Sequence, residues 1–161
     1  MASGIGLCDS VKEQYDLVRT GKLDWFISAV QLKTKDTPEI IKARRSFPAN
    51  DEEKAISKLC NSKDYEEYEK IHATLVEEIE ENWAKKPAYI VLNARKVTSS
   101  GPRSKIVFVQ YCPDNSKIKE RMVTASSASV MRQSLEGVHH KAEYQSASDF
   151  DWKEMSSEIK W

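Results

Sequence analysis

The sequence predicts an α/β (α+β) fold in which a central mixed β-sheet is sandwiched between α-helices. A nearly unbroken apolar and β-branched run that ends at Tyr111 is typical of a strand covered on both faces. Between Tyr65 and Trp83, apolar residues recur at helical spacing and glutamates fill much of the remainder, which indicates an amphipathic helix. Helices and strands alternate along the chain, so we expect helices on both faces of the sheet.

Length and charge restrict the possible classes of protein. With 161 residues, we expect one domain over residues 1–161. Lys and Arg together number 25, as do Asp and Glu, and this zero net charge argues against a nonspecific nucleic-acid or membrane binder. No apolar run approaches the roughly 20 residues that span a bilayer, so we expect a soluble, intracellular protein with no transmembrane segment and no nucleic-acid partner.

The first elements are predicted from caps and apolar spacing. A helix should begin at a cap on Asp9 or Ser10 and end at Gly21. Leu23–Leu32 is rich in strand formers and predicts a core strand, and Glu39–Ala43 predicts a weaker one. The inward face of the helix should carry Val11, Tyr15 and Val18.

The segment Arg44–Asp64 mixes turn residues with a short helical pattern. We interpret this segment as lying on the solvent side and as partly helical. The Arg44–Arg45 pair is interpreted as a solvated surface, which is the usual place of such pairs.

Two neighbouring core strands are predicted in the second half of the chain. Pro87 ends the amphipathic helix, and Ala88–Leu92 is a buried-strand pattern. A turn over Thr98–Pro102 should lead into the strand Ser104–Tyr111.

A long helix follows, with a start near Ser116 after Pro113. After Gly137, Val138–Tyr144 predicts a short edge strand, and Asp149 or Asp151 should cap a terminal helix. One stripe of the long helix holds Lys119, Met122, Ser126, Ser129 and Gln133, and another stripe, predicted to be core, holds Val123, Ser127, Val130, Ser134 and Leu135.

The exposed stripe predicts protein recognition. Met122 lies within the stripe and Arg121 and Arg132 flank it. A flexible, polarizable methionine suits a hydrophobic cleft on a partner, although such a face is more often only a solvated helix surface.

The cysteines give no sign of a cofactor or metal site. Cys8, Cys60 and Cys112 are odd in number and widely spaced, unlike a disulfide framework or a zinc site. Because no local catalytic motif joins a cysteine to a histidine, we predict that the protein is not an enzyme. A small cysteine-dependent enzyme using Cys112 remains a remote alternative.

The stretch GPRSKIVFVQYCPDNSKIKERMVTASS, which begins at Gly101, resembles the signature region of the actin-depolymerising factor/cofilin family. Its R-S-K-I-V-F strand, the following P-D, the I-K-x-R-M helix start and the A-S-S all match in register. Met1–Ile5 resembles the family's N-terminal segment, and Asp9 to Arg19 resembles its first helix. The resemblance implies one domain of that family over 1–161, with an insertion around 44–64 where this chain is longer than usual.

The resemblance implies that the protein binds actin monomers and filaments, prefers the ADP-bound form, and severs or depolymerises filaments. It implies a cytoplasmic protein, a monomer, associated with the actin cytoskeleton and needing no cofactor. Residues implied to contact monomers and filaments are Ser3, Gly4, Lys119, Arg121, Met122 and Arg132, and those implied to contact filaments are Arg103 and Lys105.

The resemblance also implies two forms of regulation. Ser3 matches an inhibitory phosphorylation site, and a phosphate there would add roughly −1.5 to −2 charges to an arm that contacts actin. Phosphoinositide head groups would compete with actin for basic residues, namely Lys105, Lys119, Arg121 and Arg132.

This chain departs from the family pattern at three positions of the long helix. Ser129 replaces an acidic residue, Gln133 a basic one and Thr124 a tyrosine. An alternative is therefore a relative of the same fold that sequesters monomers, or that binds filaments or branching machinery without severing.

Overall fold

A computed structural model of the protein describes residues 6–36, 38–61, 65 and 67–161. In chain order, the elements of the described part are β1 (Gly6–Leu7), α1 (Asp9–Arg19), β2 (Trp25–Gln31), β3 (Ile40–Phe47), α2 (Asp51–Asn61), α3 (Tyr68–Asn82), β4 (Ala88–Thr98), β5 (Gly101–Tyr111), α4 (Ile118–Ser134), β6 (His140–Tyr144) and α5 (Trp152–Glu158). A short 3₁₀ helix, Ala147–Phe150, precedes α5.

The strands form one six-stranded mixed sheet in the order β1-β3-β2-β4-β5-β6. The central strands β3, β2, β4 and β5 pair antiparallel, whereas the edge strands β1 and β6 pair parallel to β3 and β5. The β4–β5 hairpin is continuous from Ala88 opposite Tyr111 to Thr98 opposite Gly101. Both predicted central strands are therefore confirmed, and the hairpin extends them to the turn.

Side chains alternate between the two faces of the sheet and build two separate cores. On one face, Ile90 and Val109 pack with residues of α3 and α5. On the other face, Tyr89 and Phe108 pack with residues of α1 and α4. The prediction of helices on both faces is confirmed, as is the burial of Val11, Tyr15 and Val18 on α1.

Two hydroxyls near predicted helix starts, those of Ser10 and Ser116, do not cap a helix. Cys8 occupies the N-cap of α1 without a side-chain cap, and the Ser10 hydroxyl accepts from the Ala43 amide at 3.3 Å. Before α4, the Ser116 hydroxyl donates to the Pro113 carbonyl at 2.6 Å, and the helix begins two residues later than predicted. The Ser10 hydroxyl is engaged in a tertiary hydrogen bond and the Ser116 hydroxyl in a turn hydrogen bond, so neither caps a helix. The cap on Asp151 is confirmed, since its side chain accepts from the Glu154 amide.

The described part of the segment 44–64, residues 44–61, is more firmly attached to the fold than its composition indicates. Its first residues complete β3, and α2 buries Ser57 and Cys60. Arg45 forms ion pairs with Glu53 at 2.7 Å and with Glu78 of α3 at 3.2 Å. The prediction of a solvated arginine pair is therefore wrong for Arg45, because two carboxylates compensate its charge.

A buried ion pair joins α2 to the sheet. The Asp24 and Arg95 side chains are 1% and 5% exposed, and Arg95 donates to an Asp24 carboxylate oxygen. The Ser57 hydroxyl donates to Asp24 at 2.5 Å, while the Asn61 side chain donates to Asp24 at 3.2 Å and accepts from Arg95 at 3.0 Å. The Arg95 guanidinium lies 5.4 Å from the centre of the Tyr65 ring. The side chains of Ser57 and Asn61 thus complete the hydrogen bonds of two charges that have left water.

His72 links α3 to the C-terminal segment. It is 2% exposed, its Nε2 forms a hydrogen bond with the Phe150 carbonyl, and its ring lies 5.0 Å from that of Trp152. Nδ1 is buried without a partner among the described residues. Burial lowers the pKa of His72 below its ordinary value, although Asp151 attracts the protonated form.

Within the described residues, no helix has the combined length and apolar character that crossing a membrane requires.

Replacement of Arg95 by methionine is expected to lower the free energy of unfolding by about 3–5 kcal/mol, because Asp24 would keep a buried charge without its cation. The matched control is Arg19→Met, which removes an exposed 3.7 Å contact with Asp16 and should cost about 0–1 kcal/mol. Urea unfolding of the three proteins measures both losses. Similar losses in the two variants would contradict a special role for the buried pair.

Stability should fall as the pH drops below the ordinary pKa of histidine, about 6.5. In that range, the unfolded chain binds a proton at His72 before the folded chain does, because the folded pKa is lowered. The His72→Gln variant keeps a donor for the Phe150 carbonyl but does not titrate. Urea unfolding between about pH 7.5 and 5.5 should show a smaller loss in this variant than in the wild type; parallel curves would refute the assignment.

Candidate functional site

Helix α4 has one face in the core and one in solvent. Its buried residues are Thr124, Ser127, Ala128 and Met131, and the helix is fixed to the sheet by a hydrogen bond from the Tyr89 hydroxyl to the Thr124 carbonyl. The predicted core stripe is confirmed at Ser127 and Leu135, whereas Val123 and Val130 are only partly buried. Small side chains form much of the buried face, and apolar spacing alone does not indicate such a face.

The exposed face carries large apolar side chains at its start. Met122 is 66% exposed and Ile118 is 67% exposed. The two residues are four apart, and such residues are neighbours on a helix surface. Met122 was predicted to lie on this face; Ile118 was not, and its spacing from Met122 is the signal that could have identified it.

Basic side chains flank this apolar pair. Lys119 is exposed. Arg121 is half-buried, and its Nε is buried without a hydrogen-bond partner in the described part of the chain. The structure therefore brings together Lys119, Arg121 and Met122, as the sequence predicts, and adds Ile118.

The second half of the exposed face is less able to bind an acidic partner. Arg132 is exposed, but its Nη2 donates to the Gln110 side chain at 3.3 Å. Gln133 is exposed and uncharged, and Ser129 is half-buried.

Arg103 and Lys105 form a second, separate basic surface on β5. Arg103 lies opposite Lys96 and Lys105 opposite Ala94, and strand alternation puts both residues on the face of Val107 and Val109, opposite α4. They lie at the start of β5, whereas α4 follows its end. Eight residues separate Arg103 from Tyr111, which corresponds to about 26 Å along the strand.

Ser3 and Gly4 lie outside the described residues. The first described strand, β1, pairs parallel with the start of β3 through Gly6 opposite Ile40.

The thiol of Cys112 lacks the features of a nucleophile. It is half-buried, and burial raises its pKa despite a hydrogen bond with Gln110 and the nearby charge of Arg121. A raised pKa keeps the thiol protonated and unreactive near neutral pH. Within the described ranges, no group of three or more His, Cys, Asp or Glu side chains is placed to hold a metal ion.

Comparison with known proteins identifies the family. Residues 4–160 match the model of the cofilin/tropomyosin-type actin-binding proteins. The chain is 28% identical over 164 residues to actin-depolymerizing factor 2, isoform c, of Caenorhabditis elegans, an alignment that covers 99% of this chain and 96% of the relative.

Solved structures show the same fold. The crystal structure of Plasmodium berghei actin depolymerization factor 2 has a TM-score of 0.71 at 19% identity and covers 99% of this chain and 98% of its own. Streptomyces griseoflavus cofilin has a TM-score of 0.67 at 21% identity, with 96% of each chain covered. The chain belongs to the cofilin/tropomyosin-type family of actin-binding proteins.

Proposed function

We propose that this protein binds actin monomers and filaments and promotes the severing and depolymerisation of filaments. The observation that supports the proposal most directly is the exposure of Ile118 and Met122 beside Lys119 and Arg121. Two large apolar side chains of one helix in water, with cations beside them, have the composition of an interface centre.

The monomer contact follows from the chemistry of these side chains. Burial of a methionine side chain in a partner's apolar cleft stabilises a complex by about 1.5–3 kcal/mol. Lys119 and Arg121 would orient the helix through charge-assisted hydrogen bonds to carboxylates at the margins of that cleft. Arg132 would add a weaker contact, because it must leave Gln110. Ser3 and Gly4 are proposed to contact the same monomer.

Filament binding would use the second surface. Arg103 and Lys105 face away from α4 and lie about 26 Å and about 20 Å, respectively, along β5 from its last residue, Tyr111. One molecule could therefore contact two actin subunits at once. A ligand that fits one filament geometry better than another shifts the population towards that geometry and weakens the contacts it disfavours. Preference for the ADP-bound form would arise in the same way.

Charge is the proposed basis of regulation. A phosphate on Ser3 would place negative charge against the actin surface and inhibit binding. Phosphoinositide head groups would compete for Lys119, Arg121 and Arg132; Lys105 lies on the other side of the sheet and would join only through a second head group. The protein would act as a cytoplasmic monomer on the actin cytoskeleton.

A second candidate function is monomer sequestration, or binding to filaments or branching machinery, without severing. The interaction of Arg132 with Gln110 and the uncharged Gln133 favour this candidate, because both weaken the second half of the α4 surface. The cysteine-enzyme alternative is set aside: the chain belongs to a family of actin-binding proteins rather than enzymes, and the Cys112 thiol has a raised pKa.

The double variant Lys119→Ala/Arg121→Ala should bind actin monomers about a hundredfold more weakly, since it loses two charge-assisted contacts of about 1.5 kcal/mol each. Fluorescently labelled actin monomers measure the affinity, and co-sedimentation measures filament binding and actin released to the supernatant. Lys12→Ala/Lys22→Ala removes the same charge from exposed positions on and beside α1 and should bind normally. Equal affinities in the two double variants would refute the α4 surface as the actin site.

The double variant Arg103→Ala/Lys105→Ala should lose filament co-sedimentation while it retains monomer affinity within about twofold, because its residues lie apart from α4. If monomer affinity falls as far as filament binding, the two surfaces are not separate. Wild-type protein that binds monomers but neither co-sediments with filaments nor shortens them would instead support the second candidate function.

A further inference from the structure

A cleft opens beside the last residues of β2, just beyond the start of β4. The two strands pair only between Trp25–Ser28 and Tyr89–Leu92, although β2 continues to Gln31 and β4 begins at Ala88. The volume of the cleft is about 730 Å³, within the range of about 300–1,000 Å³ that is typical of ligand sites. Its lining includes Ala29, Val30, Arg44, Trp83, Lys86 and Thr124.

A β-bulge directs two consecutive arginines into this cleft. Ile27 of β2 lies opposite Arg45 and Ser28 lies opposite Ala43, so Arg44 is the extra residue of β3. Neighbouring side chains of a regular strand point to opposite faces, but Arg44 and Arg45 both line the cleft. Bulges of this kind re-aim side chains and are enriched beside binding sites.

Only one of the two arginines is compensated. Arg45 is paired with Glu53 and Glu78. Arg44 is exposed, and in the described part of the chain it forms neither an ion pair nor a side-chain hydrogen bond. This bulge residue therefore presents a free guanidinium to the cleft.

Two basic residues of the lining, Arg44 and Lys86, lie outside the ion pairs of Arg45. Both carboxylate oxygens of Glu78 already accept hydrogen bonds: one from Arg45, the other from the Asn82 side chain at 2.8 Å and the Trp83 indole at 3.2 Å. Lys86 is exposed at the rim, and Glu120 is the other acidic residue of the lining. Glu120 lies in the first turn of α4, where the helix dipole partly offsets its charge.

Apolar side chains line part of the cleft. Ala29 and Val30 come from β2, and Trp83, which directly follows α3, also lines the cleft. Thr124 of α4 lies at the base of the cleft, and its short side chain does not fill the space.

We propose that this cleft is a binding site for a small organic anion, a carboxylate or phosphate attached to an apolar body. The body would lie on Ala29, Val30 and Trp83, and Arg44 with Lys86 would bind the anionic group. The cleft shares α4 with the proposed actin surface, but binding of a small anion there can be tested without actin.

The test is a titration of the full ¹⁵N-labelled chain with 8-anilinonaphthalene-1-sulfonate, which joins an apolar aromatic body to an anion. Saturable shifts are expected at the amides of residues 29–32 and 124. The Arg44→Glu variant should bind the anionic probe about tenfold more weakly than the wild type does. The wild type should likewise bind the uncharged probe N-phenyl-1-naphthylamine about tenfold more weakly than the anionic one. Thr124→Tyr should abolish binding by filling the base, and Lys22→Glu is the matched charge control.

Dispersed amide spectra show whether each variant is folded, and Arg44→Glu tests the site even if Thr124→Tyr does not fold. Three results would overturn the proposal: shifts that do not saturate, shifts confined to other surfaces, or equal affinities in the wild type and Arg44→Glu. A loss in Lys22→Glu as large as in Arg44→Glu would also overturn it, because the attraction would then be a property of the overall charge.

Discussion

The buried pair of Asp24 and Arg95 is the interaction on which the arrangement of α2, β2 and β4 depends. Two charges removed from water are tolerated only when other polar groups complete their hydrogen bonds, and Ser57 and Asn61 of α2 supply them. The position of α2 is therefore set by the requirements of a charge on the sheet. The backbone takes part as well, since the Asp24 carbonyl accepts from the Asn93 amide and the Asp24 amide donates to the Phe47 carbonyl.

The sheet that this pair supports also separates the two proposed actin surfaces. One face of β5 packs under α4, and the alternate residues of the same strand carry Arg103 and Lys105 to the opposite side. A rigid hairpin of eleven paired positions holds the surfaces at a fixed spacing. Such rigidity matters for a protein that acts by binding alone, because a flexible connection would let both contacts form without changing the partner's geometry.

Arg45 shows how the same segment serves both stability and binding. Its ion pairs with Glu53 and Glu78 join α2 to α3 across β3, and its guanidinium lies 5.4 Å from the Trp25 ring. The bulge beside it leaves Arg44 without such partners. One arginine is thereby structural and its neighbour is free to meet a ligand, although the sequence shows only two identical residues in a row.

The sequence by itself determined the order of the elements from α1 onwards, the mixed sheet between helices, the exposed face with Lys119 and Met122 beside Arg121, and the family; it did not indicate β1. Alternation, helical spacing and a motif in register are local signals, so they can be read without coordinates. Tertiary structure decided what depends on distant partners: the Ser10 hydroxyl that does not cap α1, the ion pair of Arg45 with Glu78, the burial of Arg95, and the cleft beside the end of β2. Hydrogen bonds and ion pairs between residues tens of positions apart leave no periodicity in the chain, and for that reason the sequence could not reveal them.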